Sequence, residues 1–152
     1  MKLAEALIIR ADLKRRIEQT RERMYDNIII QEGSKSNENT EDLINIFLDL
    51  QEELKNIINK INKTNNTLKF DNNKTISDVI VEREMILSKR NFLANVVKRA
   101  SEPQVRYSNT EIRNIPTVNV IKIQKQVDKL SKEYRELDIK LQAKNWEVDL
   151  VE

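Results

Sequence analysis

The chain has 152 residues, with 27 Lys plus Arg against 25 Asp plus Glu, one glycine, two prolines, and neither cysteine nor histidine. The missing thiols and imidazoles exclude disulfides, cysteine or Ser-His nucleophilic catalysis, haem held by His and the common Cys/His zinc sites. A single glycine excludes the Rossmann fingerprint and the P-loop, which both need several glycines where the backbone meets a phosphate.

Hydrophobic residues make up 39% of the chain and aromatics 5%, a balance suited to aliphatic helix packing. The opening string Met1-Lys2-Leu3-Ala4-Glu5-Ala6-Leu7-Ile8-Ile9-Arg10 starts like a signal peptide, but Glu5 interrupts the apolar run and Arg10 and Asp12 close it. The first predicted helix covers 2–30 on Leu3, Leu7, Leu13, Ile17, Met24 and Ile28. Arg10, Thr20 and Asn27 fall on or beside that stripe, so this helix buries polar groups or presents them to a cavity. Gly33, in the following linker, stands where a helix C-cap wants a left-handed residue. Asn39 or Thr40 then caps a second helix over 41–65, with Glu41 and Asp42 favourable against the positive end of its dipole. Leu43, Phe47, Leu50, Leu54, Ile57 and Ile61 alternate spacings of four and three, and Ile44 and Ile58 widen the stripe to a bundle-facing surface.

Asn62 to Thr67 prefer turns to helix interiors. Asp71 to Lys74 read as a tight turn between two short apolar flanks, which suits a small hairpin. Thr75 and Asp78 form a capping box for a third helix over 76–101, with Val79, Ile86, Leu93 and Val97 on one stripe. Arg83 and Arg90 occupy the same stripe, where guanidinium groups are costly unless paired. Pro103 stops this helix, and the alternation of Val105 and Tyr107 reads as extended chain. Thr117 is expected to cap a fourth helix over 118–146, whose Val120, Ile123, Val127, Leu130, Tyr134, Leu137 and Leu141 keep heptad spacing without a miss. No stretch approaches the ~20 apolar residues of a membrane-spanning helix.

Specific strings carry a resemblance: Leu3-Ala4-Glu5-Ala6-Leu7-Ile8-Ile9-Arg10-Ala11-Asp12-Leu13, Arg16-Ile17-Glu18, Ile61-Asn62-Lys63-Thr64-Asn65-Asn66, Arg106-Tyr107-Ser108, Tyr134-Arg135-Glu136-Leu137-Asp138 and Asn145-Trp146. Together they resemble a septicolysin-like family of small bacterial helical proteins, across nearly the whole chain. The family label implies a cytolysin and supplies no mechanism. Asp71-Asn72 departs from the Asp-Gly expected at the second turn.

The expected fold is all-α: one domain over 1–152, an elongated antiparallel four-helix bundle or pair of long helical hairpins, with a short extended element near Leu68–Phe70 and Val105–Tyr107. The first candidate site joins Arg10, Asp12, Arg16 and Glu18 to Arg83 and Arg90, as a register-setting ion-pair network or, alternatively, an anion pocket. The second gathers Asn62, Thr64, Asn65 and Thr67 with Arg106, Tyr107 and Ser108 at one pole of the bundle. Trp146 would anchor a subunit interface or close the bundle's end. Di-iron bundles need Glu-x-x-His pairs, so neither metal nor cofactor is expected, and no residue is assigned a catalytic role. The favoured function is a non-enzymatic, cytoplasmic, homo-oligomeric scaffold or protein-interaction protein. The alternatives are a binder of an anionic ligand or nucleic acid through the seam and loop arginines, and a membrane-active lysin suggested by the family label alone.

Overall fold

The computed structural model describes residues 1–103, 109 and 112–151. It is all-α: α1 spans Leu3–Asn27, α2 Thr40–Thr67, α3 Ile76–Ala100 and α4 Val120–Glu147. No strand forms among the described residues, and Lys2 and Asp149 make an isolated antiparallel bridge. The extended element expected at Val105–Tyr107 lies outside the described residues.

Each helix starts on a side chain that answers free backbone N–H groups. At α1 the relation is reversed, the Lys2 N–H donating to Glu5 Oε2 at 2.7 Å. Asn39 Oδ1 accepts from the Glu41 and Asp42 amides at 2.9 and 3.4 Å to open α2. Thr75 and Asp78 form the reciprocal box at α3: the Asp78 amide donates to Thr75 Oγ1 at 3.2 Å, and the Thr75 amide to Asp78 Oδ2 at 2.8 Å. At α4 the cap is Asn119 rather than Thr117. Its Oδ1 accepts from the Lys122 amide at 3.0 Å, and its carbonyl takes the first helical bond from Ile123 at 3.0 Å. Asparagine is the stronger cap of the two residue types.

Two helix ends depart from expectation. Helix α1 stops at Asn27, and Gly33, at φ +83°, serves a turn farther on, in which the Ser34 amide donates to the Gln31 carbonyl at 3.0 Å. Helix α2 continues through the Asn/Thr stretch, where the Thr64 and Thr67 hydroxyls each donate at 2.8 Å to a carbonyl four residues back. Those bonds absorb the local competition that favours a loop. The turn at Asp71 to Lys74 does form: Asp71 Oδ1 accepts the Asn73 and Lys74 amides at 2.8 and 2.9 Å, and the Phe70 amide donates to the Lys74 carbonyl at 2.9 Å.

The chain divides into two compact units. Unit 1 takes Met1–Lys69 and Gln142–Glu152, and unit 2 takes Phe70–Leu141. In unit 1, α1 and α2 run antiparallel, with Thr20 beside Leu43 at one level and Asp12 beside Glu53 at another. Their core is made of Leu3, Ala6, Leu13 and Ile17 against Leu43, Leu50, Ile57 and Ile61, all buried. Two of the polar groups on the α1 stripe, Thr20 and Asn27, are paired with backbone. Thr20 donates to the Arg16 carbonyl at 2.8 Å, and Asn27 donates to the Arg23 carbonyl at 2.8 Å. Asn27 Oδ1 also accepts from the Ser36 hydroxyl and the Asn37 and Glu38 amides, at 2.9, 3.1 and 3.2 Å. One buried amide side chain thus anchors residues 36–38 of the α1–α2 connection.

A second clasp closes the other end of unit 1. The Leu3 amide donates to the Val148 carbonyl at 3.1 Å, the Leu150 amide to the Met1 carbonyl at 2.8 Å, and the Val151 amide to the fully buried Thr64 Oγ1 at 2.9 Å. Lys2 Nζ adds a donor to the Glu147 carbonyl at 3.0 Å and an ion pair with Asp149 at 2.9 Å.

Asn27→Ala is expected to lower the unfolding free energy by about 1–3 kcal/mol in chemical denaturation, because it leaves buried groups unanswered. A pH dependence follows from the exposed pairs. The hydrogen bond from Arg23 holds Glu38 below its usual carboxylate range, and that from Lys2 does the same for Asp149. A lowered folded-state pKa adds stability above the unfolded carboxylate pKa and loses it as the pH falls through the folded value. The stability gap between the parent and the variant Glu38→Gln/Asp149→Gln is therefore widest near neutrality, small and salt-sensitive. It closes in acid, as denaturant midpoints measured across pH will read.

Candidate functional site

In unit 2, α3 and α4 meet antiparallel in a register that two contacts define. Arg83 lies opposite Asp138 and Arg90 opposite Ser131, one heptad apart on both helices. Arg83 Nη1 donates to Asp138 Oδ1 at 2.7 Å and Nη2 to Glu84 Oε1 at 2.8 Å. Its Nε is buried without a hydrogen bond. Burial pulls the guanidinium pKa down, the bonds to Glu84 and Asp138 pull it up, and the balance holds it above the usual arginine value.

Arg90 has a different environment. Its Nε donates to Ser131 Oγ at 3.1 Å and its Nη1 to Asn91 Oδ1 at 3.2 Å, while the Ser131 hydroxyl donates onward to the Val127 carbonyl at 2.8 Å. Arg90 lines a surface hollow of about 400 Å³ together with Leu87, Ser131, Tyr134, Arg135, Asp138 and Ile139. A second hollow of the hairpin, about 240 Å³, is edged by Glu82, Glu133, Glu136 and Lys140.

Unit 1 carries its own hollows. Arg21 lies over the Phe47 ring, 5.8 Å from its centroid, at an apolar hollow of about 210 Å³ that Met24, Tyr25 and Ile44 also line. A wider hollow of about 620 Å³ is edged by Asp12, Arg15, Arg16 and Glu53.

Members of the first sequence-derived set make local pairs within their own units. Asp12 ion-pairs with Arg15, and Glu18 holds Arg21 with both carboxylate oxygens at 2.8 Å, each within α1. The carboxylates that answer Arg83 are Glu84 and Asp138 of its own hairpin. Neighbours three or four residues apart on a helix are already within reach, so the α1 pairs close locally. Arg10 is half-buried on α1. Asn65 is half-buried near the end of α2, and its neighbour Thr64 makes the clasp. Trp146 is 55% exposed on the last turn of α4. Arg106, Tyr107 and Ser108 lie outside the described residues. Ser131, Arg135 and Asp138 were missed as site residues, although the seven-residue spacing of 83/90 and 131/138 holds the signal once the helices are set antiparallel.

Among the described residues there is no group of three or more carboxylates placed to hold a metal ion, and no helix is long and apolar enough to cross a membrane. Asp138→Ala is expected to cost about 1–3 kcal/mol in equilibrium unfolding, since it removes one of the two carboxylates that answer a part-buried guanidinium. The apolar double replacement Arg83→Met/Asp138→Leu is expected to cost less than Asp138→Ala alone.

These features define an all-helical protein whose polar chemistry rests on arginines and carboxylates displayed by helical hairpins. The chain belongs to the family described as a family of unknown function (DUF6847), which it matches over residues 10–150. It is similar to a solved structure described as a functionally unknown conserved protein from Corynebacterium diphtheriae, with 31% identity, 99% of each chain covered and a TM-score of 0.92. No curated protein matches the chain. The septicolysin-like resemblance is corrected by these matches, neither of which carries a cytolysin description. The strings behind it combine Leu and Ile at three- and four-residue spacing with Arg and Glu, a pattern that many long amphipathic helices share.

Proposed function

We propose that this protein is a non-enzymatic, self-associating helical scaffold of the cytoplasm, and that α3 is its contact helix. The observation that carries this reading is a second apolar stripe on α3. Val81, Met85 and Phe92, spaced by four and seven, stand on the face opposite Arg83 and Arg90 and are 57%, 52% and 68% exposed. A helix with apolar residues on opposite faces calls for two packing partners, and α4 supplies one.

The favoured second partner is another copy of the same helix. The amino-terminal half of α3 carries Asp78, Glu82 and Glu84, and the carboxy-terminal half carries Lys89, Lys98 and Arg99. Two α3 helices crossing antiparallel about a two-fold axis therefore set acidic halves against basic halves. The same register sets Met85 against Phe92 and Val81 against Val96. Four helices from two hairpins of two copies then form an antiparallel bundle.

Sedimentation equilibrium at micromolar concentration tests this. The expected mass is twice 18.0 kDa for the parent, falling to one chain for Phe92→Glu with helicity unchanged by circular dichroism. A parent that sediments as a single chain sinks the proposal.

A further inference from the structure

We infer that the hollow lined by Arg90 and Arg135 on the α3–α4 hairpin binds a phosphate-bearing small molecule, with these two guanidinium groups as the anion contacts. Arg83 and Arg90 hold equivalent positions one heptad apart, and α4 answers them with different chemistry. Asp138 stands opposite the first and neutralises it at 2.7 Å. Ser131 stands opposite the second, at 3.1 Å, and is a neutral acceptor. Its own proton is committed to the Val127 carbonyl at 2.8 Å, so it fixes the orientation of the Arg90 guanidinium without reducing its charge. Asn91, at 3.2 Å from Nη1, is neutral as well.

Arg135 lines the same hollow and, like Arg90, pairs with no carboxylate among the described residues. Asp138 is the one carboxylate in the lining, and it is bonded to Arg83. The lining therefore sets two guanidinium groups against one carboxylate, an excess of positive charge. A half-buried cation beside an apolar seam is unfavourable unless an anion answers it. Two planar forks suit the several oxygens and double charge of a phosphate, whereas a lone carboxylate is satisfied by one fork.

At about 400 Å³, the hollow falls within the roughly 300–1,000 Å³ of small-molecule sites. Leu87 and Tyr134 line it beside the arginines, giving the remainder of such a ligand an apolar and aromatic surface. The α3 stripe proposed for self-association lies on another face, so the two proposals stand or fall separately.

Calorimetric titration of the full chain with inorganic pyrophosphate at low ionic strength tests the site, using the parent, Arg135→Gln and, as a control outside the hollow, Lys125→Gln. Arg135 and Lys125 are both exposed, so neither substitution threatens the fold. The expected result is saturable binding by the parent, weakened roughly tenfold or more by Arg135→Gln and unchanged by Lys125→Gln. Arg90→Lys, which keeps the charge and loses the fork, is expected to weaken binding too. Absence of saturable heat, or equal weakening by Lys125→Gln, overturns the proposal. It also fails if Arg135→Gln dissociates a self-associated parent while pyrophosphate affinity stays constant, because the hollow then receives a carboxylate from a second copy.

Discussion

A helix of 25 to 28 residues with an apolar stripe is stable in water only against another apolar surface. How each stripe is covered governs the rest of this molecule. In unit 1 the seam is mutual, with Leu13 and Ile17 of α1 and Leu43, Leu50, Ile57 and Ile61 of α2 all buried. In unit 2 it is partial: of the apolar residues on α3, only Ile76 and Val79 are buried, and Ile86, Leu93 and Val97 stay half-buried. Both hairpins keep apolar residues exposed, Ile8, Ile44 and Leu48 in unit 1 and Val81, Met85 and Phe92 in unit 2, but α1 and α2 bury more of their shared seam.

Register follows from the same constraint. Aliphatic contacts tolerate sliding, but a guanidinium aimed at one carboxylate does not. Arg83 on Asp138 sets the position of α3 along α4, and Arg90 on Ser131 repeats the match one heptad later. The repeat is imperfect in its chemistry, since the second arginine is met by a hydroxyl. Its geometry is kept while its charge is left available, which separates a structural contact from a candidate binding contact within one seam.

Much of the helical architecture was legible because helix periodicity and caps are local properties. The Thr75–Asp78 box and the Asn39 cap need only a few consecutive residues to be recognised, and the heptads of α2 and α4 only regular spacing. Legibility failed where a distant group decided the outcome. Asn62 to Thr67 have loop composition, yet the Thr64 and Thr67 hydroxyls fold back on the helix, and Thr64 also receives the Val151 amide. Gly33 looked like the end of α1, while Asn27 ends it by holding Ser36, Asn37 and Glu38. The seam arginines stood out by position, but their partners could be chosen only after the helices were paired. No spacing within one helix distinguishes Asp138 from Asp12 as an acceptor.

The clasp that joins Thr64 and Leu3 to residues 148–151 makes unit 1 a discontinuous piece of chain, with the contiguous unit 2 threaded between its parts. During synthesis at roughly 5–20 residues per second, the α1–α2 hairpin emerges on the order of ten seconds before the segment that seals it. Unit 2, by contrast, holds all of its own sequence as soon as Leu141 is out. Birth order and maturation order are therefore inverted: the amino-terminal helices appear first and are finished last. Over that interval the backbone partners of Leu3 and the Thr64 hydroxyl are water, and a nascent chain halted there presents an open hairpin to whatever waits at the ribosome exit.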